Sequence, residues 1–124
     1  MTFTRFKSQH APAHQPAATL SAEGTILLNR DAIQHCVREA RFAELYFDVE
    51  KRMVGLKFLP APGEPGVSRR ITRYVRNGKR GGSCATIQCR EFYREYGLPL
   101  RHLRRLLTWN EKAKLWTFKV AATQ

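Results

Sequence analysis

Gly24-Thr-Ile-Leu-Leu-Asn29, followed by Ala43-Glu-Leu-Tyr-Phe-Asp48 and Val54-Gly-Leu-Lys-Phe-Leu-Pro60, is the stretch that decides how this chain folds. The first segment is a short apolar strand that opens on glycine. Asn29 or Asp31 then offers a side-chain oxygen to the free N–H groups of a helix start. Ile33, Cys36, Val37 and Ala40 recur at helical spacing, which predicts a helix over 31–41. Ala43, Leu45 and Phe47 alternate, Asp48-Val-Glu-Lys-Arg52 turns the chain, and Val54, Leu56 and Phe58 alternate on the return. The unit is strand, helix, hairpin.

The same order returns later in the chain. A strand around Ser83-Cys-Ala-Thr-Ile87 precedes a helix over 88–96, with Phe92, Tyr93 and Tyr96 on one side. Gly97 ends that helix and Pro99 prevents its continuation. Leu103, Arg105, Leu107 and Trp109 lead into a turn at Asn110, and Trp116, Phe118 and Val120 alternate in the last strand. Leu45, Phe47, Val54, Leu56 and Phe58 match Leu107, Trp109, Trp116, Phe118 and Val120 at a constant offset of 62 residues. Ile33 and Val37 match Phe92 and Tyr96 at an offset of 59. One such unit is too small to bury its apolar face alone. The expected architecture is therefore α+β: one β-rich domain of two strand–helix–hairpin repeats, 24–60 and 82–120, with pseudo-two-fold symmetry and two short helices on a sheet or barrel. Residues 1–22, rich in Ala, Pro, Gln and His from Ser8 onward, read as a flexible N-terminal arm preceding a single basic domain over 23–124. Thr2-Phe-Thr-Arg-Phe6 reads as a short edge strand or as disorder.

Between the repeats, Ala61-Pro-Gly-Glu-Pro-Gly66 is a linker by composition. Val67-Ser-Arg-Arg-Ile-Thr-Arg-Tyr-Val-Arg76 is a basic strand, and Asn77-Gly78 is a two-residue turn signal.

Glycine, a short apolar strand, a helix, then Ala43-Glu-Leu-Tyr-Phe-Asp48 and a return strand ending at Pro60 resemble the swapped-hairpin unit of AbrB-type transition regulators. Two units in one chain resemble the MraZ arrangement. The resemblance covers about 36 residues per copy. Asn29-Arg30-Asp31 stands where the family has a proline before the helix, and the strand at 67–76 has no counterpart. The resemblance implies a DNA-binding β-barrel core. The family often dimerises, so a homodimer is one expectation; two units in one chain meeting that need internally is the other.

Charge points the same way. The 124 residues carry 22 Lys plus Arg against 10 Asp plus Glu, a net charge of +12. Such an excess repels itself in a compact chain and favours a polyanionic partner. From Arg69 to Arg105 stand Arg69, Arg70, Arg73, Arg76, Lys79, Arg80, Arg90, Arg94, Arg101, Arg104 and Arg105, opposed only by Glu91 and Glu95. These residues, with Tyr74 alternating beside Arg70 and Thr72, form the candidate nucleic-acid site. Arginine forks grip phosphate and guanine edges. Tyr74 is placed either to stack a base or to pack under its neighbours, and the same choice applies to Tyr93. Asn77-Gly-Lys-Arg-Gly-Gly-Ser83 reads as a hairpin turn with a bulge or as a phosphate cradle, but it lacks the P-loop spacing.

Other classes are expected to be absent. No run of 18 apolar residues occurs, so no spanning helix and no membrane partner is expected. The N-terminus lacks the apolar segment of a secretory signal. Three cysteines without a Cys-x-x-Cys pair make neither a disulfide framework nor a zinc site. They indicate a reduced, cytoplasmic protein without metal or cofactor. Asp31 and Asp48 are the only aspartates, and no carboxylate cluster suits two-metal chemistry. The expected function is a non-catalytic nucleic-acid binder, with duplex DNA ahead of RNA, serving as a transcriptional regulator or accessory factor. The alternatives are a module or inhibitor docking on an acidic protein partner, and a binder of RNA or single-stranded DNA.

Overall fold

The computed structural model describes residues 2–3, 15–64, 66–75 and 83–120, and the side chains of all these except Tyr74, Val75 and Ser83. It is a small β-rich domain with two short helices and a nearly closed, barrel-like sheet. The strands are β1 (Ala17–Leu20), β2 (Thr25–Leu28), β3 (Phe42–Asp48), β4 (Met53–Leu59), β5 (Ser68–Val75), β6 (Ser83–Gln88), β7 (Leu103–Leu106), β8 (Thr108–Asn110) and β9 (Leu115–Lys119). Their order in the sheet is β7-β1-β2-β6-β5-β3-β4-β9-β8, and every neighbouring pair is antiparallel.

The two ends of that order, β7 and β8, are consecutive in the chain, with only Leu107 between them. The sheet therefore curls back on itself. Closure between β7 and β9 is made by a side chain: Arg105 Nε donates to the Lys119 carbonyl at 3.1 Å. Leu107 is buried and its N–H donates to the Pro16 carbonyl at 2.9 Å. The hairpin expected over 103–120 is thus only half a hairpin. Residues 108–110 pair with β9, whereas 103–106 pair with β1 (Ala17 opposite Leu106, Leu20 opposite Leu103). No glycine or proline stands between Leu103 and Trp109, so a change of partner at Leu107 leaves no turn signal in the sequence.

A second correction concerns the N-terminus. The expected arm over 1–22 contains β1, which sits between β2 and β7 with Ala17, Ala18 and Leu20 buried. Asn29 fixes it there. Its Oδ1 accepts from the Ala32 N–H at 2.8 Å, capping the helix, and from the Ala17 N–H at 3.0 Å. Its Nδ2 donates to the Gln15 carbonyl at 3.0 Å, and the Gln15 N–H donates to Asp31 Oδ2 at 2.9 Å. One side chain thus serves both a helix start and a strand start. Residues 4–14 of the arm, among them Thr4–Phe6 of the expected edge strand, and the Asn77-Gly78 turn lie outside the described residues; Thr2 and Phe3 form no strand.

The first helix is shorter than expected. One α-turn, Arg30–Ala32 (α1), widens into a π-helical turn over Ile33–Val37 and stops at Arg38, whose φ is 54°. The second, Arg90–Tyr96 (α2), ends on Gly97 in the left-handed region, φ 62°, where glycine carries no Cβ penalty. An arginine from elsewhere in the fold holds backbone carbonyls at or just beyond the end of each helix. Arg73 of β5 donates to the Arg38 and Ala40 carbonyls at 2.5 and 2.8 Å. Arg52 donates to the Tyr96 carbonyl at 3.0 Å and lies over the Phe47 ring, 5.1 Å from its centroid.

Inward residues of the strands (Leu20, Ile26, Leu28, Val54, Leu56, Ile71, Ile87, Phe118) and Val120 beyond β9 form one core with Val37 and Tyr93 from the helices. Burying each large aliphatic side chain contributes about 1.5–3 kcal/mol. Phe47 stacks on Tyr96 at 4.6 Å and meets Phe92 edge-on at 6.2 Å, which seats α2 on the β3–β4 hairpin. Tyr93 is the one large polar side chain in the core. Its hydroxyl donates to the Thr25 carbonyl at 2.5 Å and accepts from the Ser21 N–H at 3.1 Å, tying α2 to the β1–β2 turn.

Candidate nucleic-acid interface

The five strands β7, β1, β2, β6 and β5 contain no aspartate or glutamate and hold Arg69, Arg70, Arg73, Arg104 and Arg105. Successive side chains of a strand point to opposite faces, so the inward Ile26, Leu28, Ile71 and Ile87 fix which residues face outward. One outward row follows from the register: Arg104 opposite Thr19, Thr19 opposite Leu27, Leu27 opposite Thr86, and Thr86 opposite Thr72. A neighbouring row contains Thr25 opposite Gln88, with Arg70 outward two residues before Thr72. Ser21 Oγ and Thr25 Oγ1 share a hydrogen bond of 2.7 Å. The outer surface therefore carries Thr19, Thr25, Thr72 and Thr86 beside Leu27 and the exposed Leu106, with an exposed arginine near each margin, Arg70 and Arg104.

The arginines named from the sequence divide into two groups. Arg73 and Arg105 are bound to backbone carbonyls, as described. Arg69 reaches Glu91 Oε1 at 3.4 Å, a partly exposed pair worth about 0–1 kcal/mol. Arg70, Arg90, Arg94, Arg101 and Arg104 are exposed and have no hydrogen bond or ion pair among the described residues. Arg90 and Arg94 lie one turn apart on α2. Arg90 packs against the β1–β2 turn, where a Cβ on Gly24 would stand 3.1 Å from the Arg90 Cα. That contact, with the φ of 80° at Gly24, requires glycine there. The backbone of Tyr74 lies in β5 opposite Cys84. Arg76, Lys79 and Arg80 lie outside the described residues. Tyr93, considered from the sequence as a stacking residue, is 2% exposed and belongs to the core.

Thr19 joins this face only because Ala17–Leu20 is a strand, and Ala-Ala-Thr-Leu carries little strand signal. Thr25, Thr72 and Thr86 share it only because β2 and β5 both pair with β6, which spacing along the chain does not announce.

Burial pushes the thiols of Cys36 and Cys89 up to about 12, and the Tyr93 phenol likewise up to about 12. These groups are neutral structural parts. Cys36, Cys84 and Cys89 are free cysteines. Among the described residues, no group of three His, Cys, Asp or Glu side chains is placed to hold a metal, and no helix is long and apolar enough to cross a membrane. No family model, no curated protein and no solved structure matches the chain.

Proposed function

We propose that this protein is a non-catalytic, duplex DNA-binding protein of the cytoplasm, a transcriptional regulator or accessory factor, whose binding surface is the outer face of β7-β1-β2-β6-β5. One observation carries the reading: 26 strand residues without a single acid present hydroxyls outward, with Arg70 and Arg104 exposed at the margins. Hydroxyls and guanidinium groups are the side chains that contact phosphate oxygens. The absence of carboxylates removes the repulsion that would oppose a polyanion. Free cysteines accord with a reducing compartment.

We also infer that the chain is an internal duplication of the swapped-hairpin type, resembling AbrB and MraZ. Several details support this. Asp48 Oδ1 accepts from the Lys51 N–H at 3.1 Å, and Asn110 Oδ1 accepts from the Ala113 N–H at 2.9 Å, the same turn 62 residues on. Arg52 and Lys114, again 62 apart, have φ of 54° and 59°. Arg38 and Gly97, 59 apart, end the two helices at positive φ. Exchanging β1 with β5, β2 with β6, β4 with β9, and β3 with the β7–β8 pair leaves the circular strand order unchanged.

The test is fluorescence anisotropy with duplex DNA, single-stranded DNA and duplex RNA across a salt series. Duplex DNA is expected to bind tightest, with affinity falling steeply as salt rises. Negligible binding of all three at low salt refutes the proposal and leaves an acidic protein partner to be sought.

A further inference from the structure

The chain leaves α2 by folding back beside it. Gly97 turns at a φ of 62°, and the Leu98 N–H donates to the Tyr93 carbonyl at 2.9 Å. A groove of about 450 Å³ opens between the helix and this returning segment, lined by Arg90, Tyr93, Arg94, Gly97, Leu98 and Leu100. Tyr93 and Leu98 are buried, whereas Leu100 is 53% exposed.

The charge of the groove is of one sign. Arg90 and Arg94 stand one turn apart, both exposed and both without an ion pair among the described residues. Glu91 and Glu95 border a different depression, with Val67 and Phe92, and Glu91 is held there by Arg69 at 3.4 Å. The Tyr96 and Gly97 carbonyls, the negative end of the helix, accept from Arg52 at 3.0 and 3.4 Å. Among the described residues no acid lines the groove, and Arg101, also exposed, follows Leu100.

Phosphate groups would meet Arg90 and Arg94 but gain nothing from Leu98 and Leu100. Carboxylates beside an apolar side chain use both kinds of wall, as helix-in-groove and acidic-motif recognition do. A second copy is a poor occupant, because two chains of net charge +12 repel. Arg90 and Arg94 are about 6 Å apart along the helix axis, the separation of two carboxylates at positions i and i+4 of another helix.

We infer that the groove between α2 and residues 97–101 docks an acidic amphipathic helix of a partner protein, with an apolar side chain against Leu98 and Leu100 and carboxylates on Arg90 and Arg94. None of these residues belongs to the sheet face, so the site stands or falls apart from the DNA-binding reading above.

The test pans a displayed library of random peptides of about 15 residues, some four helical turns, on the full chain at physiological salt. Affinities of recovered peptides are then measured by anisotropy. The peptides should be acidic, with an apolar residue one turn from a carboxylate. Arg90→Gln combined with Arg94→Gln should weaken them about tenfold, and Leu100→Ser about fivefold. Arg70→Ala should leave them unchanged. Arg90→Gln keeps the Cβ and Cγ that face Gly24, so urea midpoints should match the parent. Recovery of no peptide overturns the inference. So does an affinity indifferent to Leu100→Ser, which marks attraction of acids by the basic chain at large. Duplex DNA that displaces the peptides, and is itself weakened about tenfold by the double arginine variant, assigns the groove to phosphate and overturns it too.

Discussion

Arg70 and Arg73 lie on one strand, three residues apart, and face opposite sides of the sheet, so substituting each separates holding the fold from holding a ligand. In Arg73→Ala, the Arg38 and Ala40 carbonyls lose a charged donor at 2.5 and 2.8 Å. Hydrogen bonds to charged groups contribute about 1.5–3 kcal/mol each when shielded. Arg73 is exposed and water can replace it at the carbonyls, so the two together are expected to cost about 1–2 kcal/mol. With a urea slope of about 2 kcal/mol/M, the midpoint should fall by about 0.5–1 M. Arg70→Ala removes a side chain with no partner among the described residues and should stay within about 0.5 kcal/mol of the parent. Its effect belongs in DNA binding, where losing one phosphate contact lowers the slope of log affinity against log salt by about 0.9. Urea unfolding followed by the fluorescence of Trp109 and Trp116, with anisotropy on the same preparations, gives both quantities. Equal midpoints for the two variants, or a larger DNA defect in Arg73→Ala, would refute the division of the arginines into ties and contacts.

Other outcomes follow from the same geometry. Tyr93→Phe deletes a buried hydroxyl with two partners and should cost about 1–3 kcal/mol by urea unfolding, with DNA affinity at low denaturant unchanged. Arg70→Ala combined with Arg104→Ala should lower the salt slope by about 1.8, twice the single-site effect, because the two sites share no contact. Cys36, Cys89 and Tyr93 all have pKa values raised by burial, to about 12. The stability each contributes is complete below its unfolded value, near 9 for the thiols and 10 for the phenol, and is lost as pH climbs toward 12. Thermal melts should therefore show a falling midpoint from about pH 9 upward. At pH 8, iodoacetamide should label the half-exposed Cys84 quickly and reach Cys36 and Cys89 only after denaturation, as read by peptide mass.

Local patterns were legible and long-range partners were not. The β3–β4 hairpin, β5, β6, β9 and the Gly97 stop all lie where alternation, spacing and turn residues put them. The first helix ends early because Arg38 turns at positive φ with neither glycine nor proline to announce it. β1 was hidden because Ala17 and Ala18 succeed as core residues by being small, a property shared with linkers. The candidate face was half legible for the same reason. Charge marked β5 and the approach to β7, but threonines on four different strands are brought to one face by pairing alone.

The junction at Leu107 also constrains the order in which the chain can assemble. The pairs β1–β2, β3–β4, β5–β6 and β8–β9 each join strands consecutive in the chain, but β1 needs Leu103–Leu106 to cover its outer edge. During synthesis, β1 waits for β7, made more than 80 residues later, with an unpaired edge until it arrives. Contacts of such long sequence separation slow folding, and exposed strand edges invite pairing with other chains. A chain stopped before Leu103 should fold incompletely and self-associate, a consequence measurable by light scattering. Barrel closure is then the last event of folding, and the hydroxyl face becomes complete only when it occurs.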